Sequence, residues 1–361
     1  MAKKKKATKK KAVKKKVTKK KATKKKATKK KATKKKATKK KATKKKATKK
    51  KATKKKVTKK KATKKKVSRE QILHDSLLEL IRVTSTVIPD DVQKVILEAL
   101  KREEKNTNAE YAMNIIKQNI AMAKTKSQPM CQDTGTILIY VNHPKGYDQN
   151  GFMKILKKAV VKATKVGYLR QNSVDTLTGK NDTLNIGLGH PSVHFHEWSK
   201  KSVEVKCMLK GGGCENVGAQ YDLPNTGLDA GRDLDGVRKV ILDAVHKAQG
   251  KGCGPGILGI CIGGDRGSGF IESKEQLLRK LDDKNDISAL AKLEKDIVES
   301  SNKLGIGPMG FGGKTTLLGC KIGVLNRLPA SYFVSISYMC WAYRRQGVSL
   351  KTDNSIQKWL Y

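Results

Sequence analysis

The chain has 361 residues and a formal net charge of +50, but the charge is unevenly distributed. Residues 1–67 contain 40 lysines and no acidic residue, so only +10 of the total belongs to residues 68–361. That remainder is long enough for one large domain or two small ones, and it contains no run of about 18 apolar residues, which excludes a transmembrane helix.

The N-terminal region and the cysteine content favour a cytoplasmic protein. No apolar segment resembles the core of a secretory signal, and the Lys-Thr-Ala repeat differs from an Arg- and Ser-rich mitochondrial transit peptide. The seven cysteines, an odd number without an export signal, favour reduced thiols or metal ligands over disulfides.

The first predicted segment, residues 1–67, is a disordered tail. From Ala7 to Lys66 it repeats Ala-Thr-Lys-Lys-Lys, and three valines are the only substitutions. Because its charges repel one another and it has almost nothing to bury, we expect it not to fold. The tail is either a non-specific tether for nucleic acid or another polyanion, similar to the tails of linker-histone-like proteins, or a repeat expansion without a partner.

The tether hypothesis predicts that the full chain shifts DNA in a gel at low salt. The complex should be lost steeply as salt is added, because lysines bind phosphates by releasing counterions. A chain lacking residues 1–67 is the control and should leave the DNA free. A full-length chain that ignores DNA at low ionic strength would favour the repeat expansion.

Residues 68–361 alternate between helical and strand patterns. This predicts an α/β fold with mixed sheets surrounded by helices and a helical layer at the N-terminus. A capping-box pattern, Ser68-Arg69-Glu70-Gln71, begins the first helix, and a break is predicted at 83–89. Helices are predicted near 72–81, 90–100, 106–124, 151–166, 236–248, 274–284 and 287–303, and strands near 137–141, 193–198, 203–209, 256–262 and 334–338.

Three cysteines stand outside the apolar runs and are candidate metal ligands. Cys131 lies beside Asp133 in a glycine-containing turn, although alone it is more simply a small buried thiol. Cys253 lies in a loop whose glycines let the backbone approach a bulky group, and Cys340 follows a strand. Their long spacings specify no metal, but their settings together indicate an iron–sulfur enzyme. Cys207, Cys261 and Cys320 lie in apolar strands and are expected to pack, while Cys214 is ambiguous.

Three further motifs each allow two interpretations. Lys210-Gly211-Gly212-Gly213 is either a flexible turn or a set of backbone N–H groups for an anion. Gly310–Thr316 resembles a phosphate-binding loop, but Pro308 stands where the first glycine is needed, so nucleotide binding is disfavoured. His194 and His196 share one strand face, but without a third ligand they are more simply surface or core side chains.

Six ordered motifs resemble the α subunit of class I, iron–sulfur-dependent fumarases and tartrate dehydratases. The resemblance covers essentially all of residues 68–361. The motifs are Cys131-Gln132-Asp133-Thr134-Gly135-Thr136, Leu169-Arg170-Gln171-Asn172-Ser173-Val174-Asp175, Lys210-Gly211-Gly212-Gly213-Cys214-Glu215-Asn216, Cys253 before Gly263-Gly264, Gly305-Ile306-Gly307-Pro308-Met309-Gly310, and Cys340 before Arg344-Arg345.

The resemblance implies a cofactor and a set of site residues. In that family three cysteines hold a [4Fe–4S] cluster whose fourth iron stays open to substrate, and the matching positions are Cys131, Cys253 and Cys340. Gln132 and Asp133 would contact substrate, with Asp133 as the catalytic residue that assists proton transfer. Arg170 would pair with a substrate carboxylate, and the backbone of Gly212 and Gly213 would line the pocket. The implied reaction is reversible hydration of fumarate to malate, with L(+)-tartrate dehydration as runner-up.

The sequence also departs from the family pattern. Leu328 replaces a histidine expected to hydrogen-bond substrate, Cys214 a usual serine and Gly254 a usual proline. A third hypothesis is therefore a hydro-lyase scaffold whose activity has faded and which binds polyanions. Single-chain relatives carry a second domain with further arginines, a lysine and a threonine base. Its absence implies a separate β subunit in an α₂β₂-like heterotetramer.

Overall fold

The computed structural model describes residues 67–181 and 183–361. The predicted disordered tail, apart from Val67, lies outside these residues. The helices are α1 Arg69–Thr86, α2 Asp90–Arg102, α3 Asn108–Lys126, α4 Gln149–Lys165, α5 Gly212–Asn216, α6 Leu234–Ala248, α7 Arg266–Gln276 and α8 Ser288–Lys303. The strands are β1 Thr136–His143, β2 Ser192–Glu197, β3 Val203–Lys210, β4 Ala219–Asp222, β5 Gly256–Gly263, β6 Leu317–Leu325, β7 Phe333–Met339, β8 Arg345–Leu350 and β9 Ile356–Trp359.

The strands form two mixed sheets, as predicted. The first has the order β2-β1-β3-β8-β9, in which β1 and β2 are parallel and the other pairs antiparallel. The second has the order β4-β7-β5-β6, in which only β5 and β6 are parallel. The three helices before β1 form the predicted N-terminal helical layer.

Three apolar clusters hold these layers together. One face of the first sheet packs against α1 and α4, and the second sheet packs against α6 and α8. The middle cluster joins α2 and α3 to residues of both sheets, and it includes Cys214 and Cys340. The predicted packing of Cys207, Cys261 and Cys320 is confirmed, since all three are buried within strands.

The break predicted at 83–89 is wrong for its first half, because α1 continues to Thr86. The hydroxyls of Thr84 and Thr86 donate to carbonyl oxygens four residues earlier, at 2.6 and 2.8 Å. Threonine often favours turns, but these bonds satisfy both hydroxyl groups within the helix, so the helix continues.

The helix predicted at 274–284 is also misplaced, because α7 ends at Gln276. Asp265 accepts from the N–H groups of Gly267 and Ser268, and the Ser268 hydroxyl accepts from the Asp265 N–H at 3.0 Å. This capping box begins the helix early, before a run of turns that covers most of the predicted segment.

Strands β4, β8 and β9 were not predicted. In β8 the reason is Arg345, a fully buried charged residue in a strand that otherwise looks polar. Its guanidinium pairs with Asp91 at 2.5 Å and lies 4.2 Å from the ring centroid of Tyr361. Asp91 is remote in sequence and Tyr361 lies beyond the strand, so the local pattern gave no sign of burial. In the part of the chain described, no helix is both long and apolar enough to cross a membrane.

Candidate active site

The Asp133 carboxylate, in the turn before β1, accepts hydrogen bonds from three donors. Oδ1 accepts from the Gly135 N–H at 2.9 Å and from the Asn172 side-chain amide at 3.1 Å. Oδ2 accepts from the Gly212 N–H at 2.6 Å. The Arg344 guanidinium donates to the Asp133 carbonyl oxygen at 2.7 Å and is itself buried. Both the backbone and the side chain of Asp133 are therefore held in place.

Gly135 allows this turn to touch the end of β3. Its φ is +82°, and a Cβ there would lie 2.5 Å from the carbonyl carbon and oxygen of Lys210. Only glycine fits such a close approach with a left-handed backbone. The position therefore sets the distance between Asp133 and Gly212.

The triple-glycine segment is a turn in which the Gly212 N–H group already has an anionic partner. Gly211 is the N-cap of the one-turn helix α5, and the Gly212 N–H donates to the Asp133 carboxylate. A Cβ on Gly211 would lie 3.0 Å from Asp133 Oδ2, so a side chain there would crowd the carboxylate. Of the two interpretations of this motif, anion binding applies to Gly212, and the anion that it binds is the Asp133 carboxylate of the same chain.

A cleft of about 320 Å³ opens beside Asp133 and Gly212. Its other lining residues include Asn172, Ser173 and His190. Of the predicted substrate-binding residues, Asp133 and Gly212 meet in this cleft, whereas Gln132, Arg170 and Gly213 are not among its lining residues. Gln132 and Arg170 are exposed. The Arg170 N–H donates to the Thr134 hydroxyl at 2.9 Å, which places Arg170 next to the Asp133 turn.

The predicted cluster cysteines differ in exposure: Cys340 is buried, Cys131 half-buried and Cys253 exposed. Although Cys253 is exposed as a residue, neighbouring atoms partly desolvate its thiol, which raises its pKa, and the nearby Cys214 and Cys131 raise the pKa further. The Trp341 N–H donates to the Cys253 carbonyl oxygen at 3.4 Å, which joins the Cys253 loop to the residue after Cys340. The loops carrying these cysteines therefore lie near one another.

Cys214 also belongs to this neighbourhood. Its hydrogen bond with Cys340 lowers the pKa of Cys214 to about 7 and raises that of Cys340.

The glycines around Cys253 do approach a bulky group, which is the ring of Tyr338. A Cβ on Gly252 or Gly256 would lie 2.5 or 2.2 Å from atoms of that side chain.

The remaining predicted candidates lie in other settings. His194 stacks on Tyr140 with ring centroids 4.8 Å apart. His196 Nε2 lies 3.4 Å from Glu275 Oε1. The side chain of Leu328 is exposed on the loop between β6 and β7. Within residues 67–181 and 183–361, no three His, Cys, Asp or Glu side chains are grouped closely enough to hold one metal ion.

Asn185 is a site residue that the sequence analysis missed. It is buried, and its Oδ1 accepts from the N–H groups of Asn172 and Ser173 at 2.9 and 3.0 Å. Its Nδ2 donates to the Arg170 carbonyl oxygen at 2.7 Å and to the Thr164 hydroxyl at 3.0 Å. This one amide fixes the segment that carries Arg170 and Asn172. Nothing in the local pattern distinguishes it from other loop asparagines.

Replacing Asn185 with alanine should lower the free energy of unfolding by about 3 kcal/mol, because four hydrogen bonds are lost and two backbone N–H groups lose their acceptor. The left-handed backbone at this residue, with φ +62°, adds to the cost. Urea unfolding measures the effect. The matched control is Asn181→Ala, an exposed residue in the same loop, which should cost at most about 0.5 kcal/mol. Equal losses would contradict the role given to Asn185.

Comparison with known proteins identifies the family. A sequence model described as "Fumarate hydratase (Fumerase)" matches residues 74–349. "Putative fumarate hydratase class I" from Geobacillus stearothermophilus is 51% identical over 293 residues, 80% of this chain. The alignment spans only 57% of that relative's length. "Putative L(+)-tartrate dehydratase subunit alpha" from Methanocaldococcus jannaschii is 34% identical over 78% of this chain and 98% of its own. "L(+)-tartrate dehydratase subunit alpha" from Escherichia coli K12 is 30% identical over 74% and 88%. With a family model that matches well over half of its residues, the chain belongs to the fumarate hydratase (Fumerase) family.

Proposed function

We propose that this chain is the α-type catalytic subunit of a [4Fe–4S]-dependent hydro-lyase that reversibly hydrates fumarate to malate. The observation that supports this most is the Asp133 carboxylate, held by three N–H donors at the edge of a cleft. Cys131, the first proposed cluster ligand, lies in the same turn. The proposed acid–base group, Asp133, and the proposed cluster ligand, Cys131, thus lie on one short segment.

Cys131, Cys253 and Cys340 suit a cluster better than a single ion. In a cubane each cysteine binds a different iron, so the ligand sulfurs need not crowd together as the ligands of one ion do. The donor set is also all thiol, which favours iron–sulfur chemistry. When bound, such a cluster supplies a Lewis-acidic iron that has no thiolate ligand.

The hydrogen bonds of Asp133 indicate where it would exchange a proton. A carboxylate oxygen has room for about two hydrogen bonds. Oδ1 accepts two, from Gly135 and Asn172, whereas Oδ2 accepts one, from Gly212. We therefore assign proton transfer to Oδ2, which keeps an acceptor position. The same donors orient the carboxylate before substrate arrives, so little reorganisation is needed in the reaction.

Arg170 is the proposed partner of a substrate carboxylate. Its guanidinium is exposed, and its backbone is anchored to Thr134 and Asn185 beside the Asp133 turn. A planar guanidinium suits a carboxylate because it can donate two parallel hydrogen bonds. Gln132 and Gly213, the chain neighbours of Asp133 and Gly212, complete the proposed substrate-binding set.

Two other functions remain in view, each with its own support. Tartrate dehydration is supported by the two tartrate dehydratase α subunits, because the alignment spans 98% and 88% of their lengths. A faded scaffold that binds polyanions is supported by the lysine tail and by Leu328, whose apolar side chain offers no hydrogen bond to a substrate. Fumarate is preferred because the fumarate hydratase relative is more similar, at 51% identity.

A separate β subunit is proposed because two of the relatives are named as the α subunit of L(+)-tartrate dehydratase. The test is anaerobic co-purification with a β-type partner, followed by assays on fumarate, malate and tartrate. We expect turnover of fumarate and malate. Turnover of tartrate alone would favour the runner-up, and an iron-loaded complex without any turnover would favour the faded scaffold.

A further inference from the structure

A three-residue ion network lies directly behind the Asp133 contact. Glu215, in α5, has its Oε2 3.2 Å from the Lys210 ammonium and its Oε1 2.8 Å from the Lys274 ammonium. Lys210 is the last residue of β3, and Lys274 lies in α7. The network therefore ties the one-turn helix to an element of the first sheet and to a helix that packs on the second.

The Lys210 ammonium depends on this network. Its side chain is fully buried, and in the described residues no polar atom makes a well-aligned hydrogen bond with it. Burial opposes the charged forms of both partners, lowering the pKa of Lys210 and acting to raise that of Glu215. At Glu215 the two lysines outweigh burial, so its pKa lies below the usual range. Because the Lys210 ammonium is buried with one anionic neighbour, losing that neighbour would cost much of the free energy that stabilises this turn.

The network encloses the segment that holds Asp133. Lys210 and Glu215 stand on either side of Gly211-Gly212-Gly213-Cys214, so their ion pair closes this short turn on itself. The Gly212 N–H on that turn donates to Asp133 Oδ2 at 2.6 Å. A helix of one turn has almost no internal hydrogen bonds to fix its direction. Its orientation must therefore come from side-chain contacts such as these.

We propose that Glu215 is a positioning residue that, by bridging Lys210 and Lys274, keeps the Gly212 N–H directed at the Asp133 carboxylate. It does not line the cleft beside Asp133, and it acts through the turn. The inference rests on the proposed function, because that function gives Asp133 its catalytic role. It adds a residue set that orients the acid–base group from behind.

The test follows the Gly212 amide in the full chain labelled with ¹⁵N-glycine, with the signal assigned by its loss in Gly212→Ala. In Glu215→Gln we expect the amide proton to move to a position typical of a weaker hydrogen bond and to exchange roughly fivefold faster or more, equivalent to one ordinary hydrogen bond. Glu215→Asp should restore part of the shift. Lys274→Met, which keeps the Lys210 pair, should change the signal in the same direction by less.

Glu294→Gln is the matched control, because Glu294 is a buried carboxylate that pairs with Arg279 elsewhere in the fold. It should lower Tm without moving the Gly212 signal. An unchanged Gly212 amide in folded Glu215→Gln or Lys274→Met would overturn the proposal, as would an equal change in Glu294→Gln. The experiment uses neither cluster nor substrate, so its failure is distinguishable from failure of the proposed reaction.

Discussion

Asp133→Asn is expected to lower the turnover of the complex with its β partner by about a hundredfold to ten-thousandfold, the usual contribution of a positioned acid–base group. An amide cannot exchange the proton, and its NH₂ cannot accept from the N–H groups that surround the carboxylate. At least one of the bonds from Gly135, Asn172 or Gly212 must therefore be lost. Steady-state rates on fumarate and malate measure the effect.

The matched control for this substitution is Asp148→Asn. Asp148 caps α4 by accepting from the Gly151 N–H at 2.8 Å, and asparagine is an equally good cap. Its turnover should stay close to that of the unmodified complex. If Asp133→Asn kept most of its activity while remaining folded, Asp133 would not be the acid–base group.

Gly135→Ala is expected to lower the free energy of unfolding by about 4 kcal/mol or more. The new Cβ would lie 2.5 Å from backbone atoms of Lys210, which cannot swing away as a flexible side chain would. The left-handed φ of +82° adds strain for any residue with a Cβ. Denaturant unfolding measures the loss, and the same variant should widen the Asp133–Gly212 contact.

Gly146→Ala separates the two causes. Gly146 also has a left-handed φ, +76°, but no heavy atom lies within 4 Å of its Cβ position. It should therefore cost only the backbone strain, about 1 kcal/mol. Similar losses in the two variants would show that the close approach to Lys210 is not what makes position 135 special.

Sequence patterns predicted the elements whose causes are local. The start of α1 follows from Ser68, whose hydroxyl accepts from the Gln71 N–H at 3.2 Å. The strand β5 follows from an unbroken apolar run, and each of its eight residues is buried. Both signals lie within one short window of the chain, where capping chemistry and hydrophobic periodicity act.

The missed strand β8 depends on a remote partner. Arg345 is buried in β8 because Asp91, more than 250 positions earlier, accepts its hydrogen bond. The site shows the same division. The cysteine and aspartate of the Cys131 motif could be singled out from the sequence. The Gly212 contact of Asp133 and the hydrogen bonds that Asn185 makes to the Arg170–Ser173 segment depend on the fold. Such contacts carry no local periodicity, so only the structure reveals them.

The iron and acid-labile sulfide content of the chain after anaerobic reconstitution tests most directly whether Cys131, Cys253 and Cys340 hold a [4Fe–4S] cluster. We predict about four of each per chain and a broad absorbance near about 400 nm. Both should be lost in Cys131→Ser, Cys253→Ser and Cys340→Ser and retained in Cys320→Ala, which removes a thiol buried in β6. A reconstituted chain that binds no iron, or one whose iron survives all three serine variants, would contradict the assignment of these cysteines as cluster ligands.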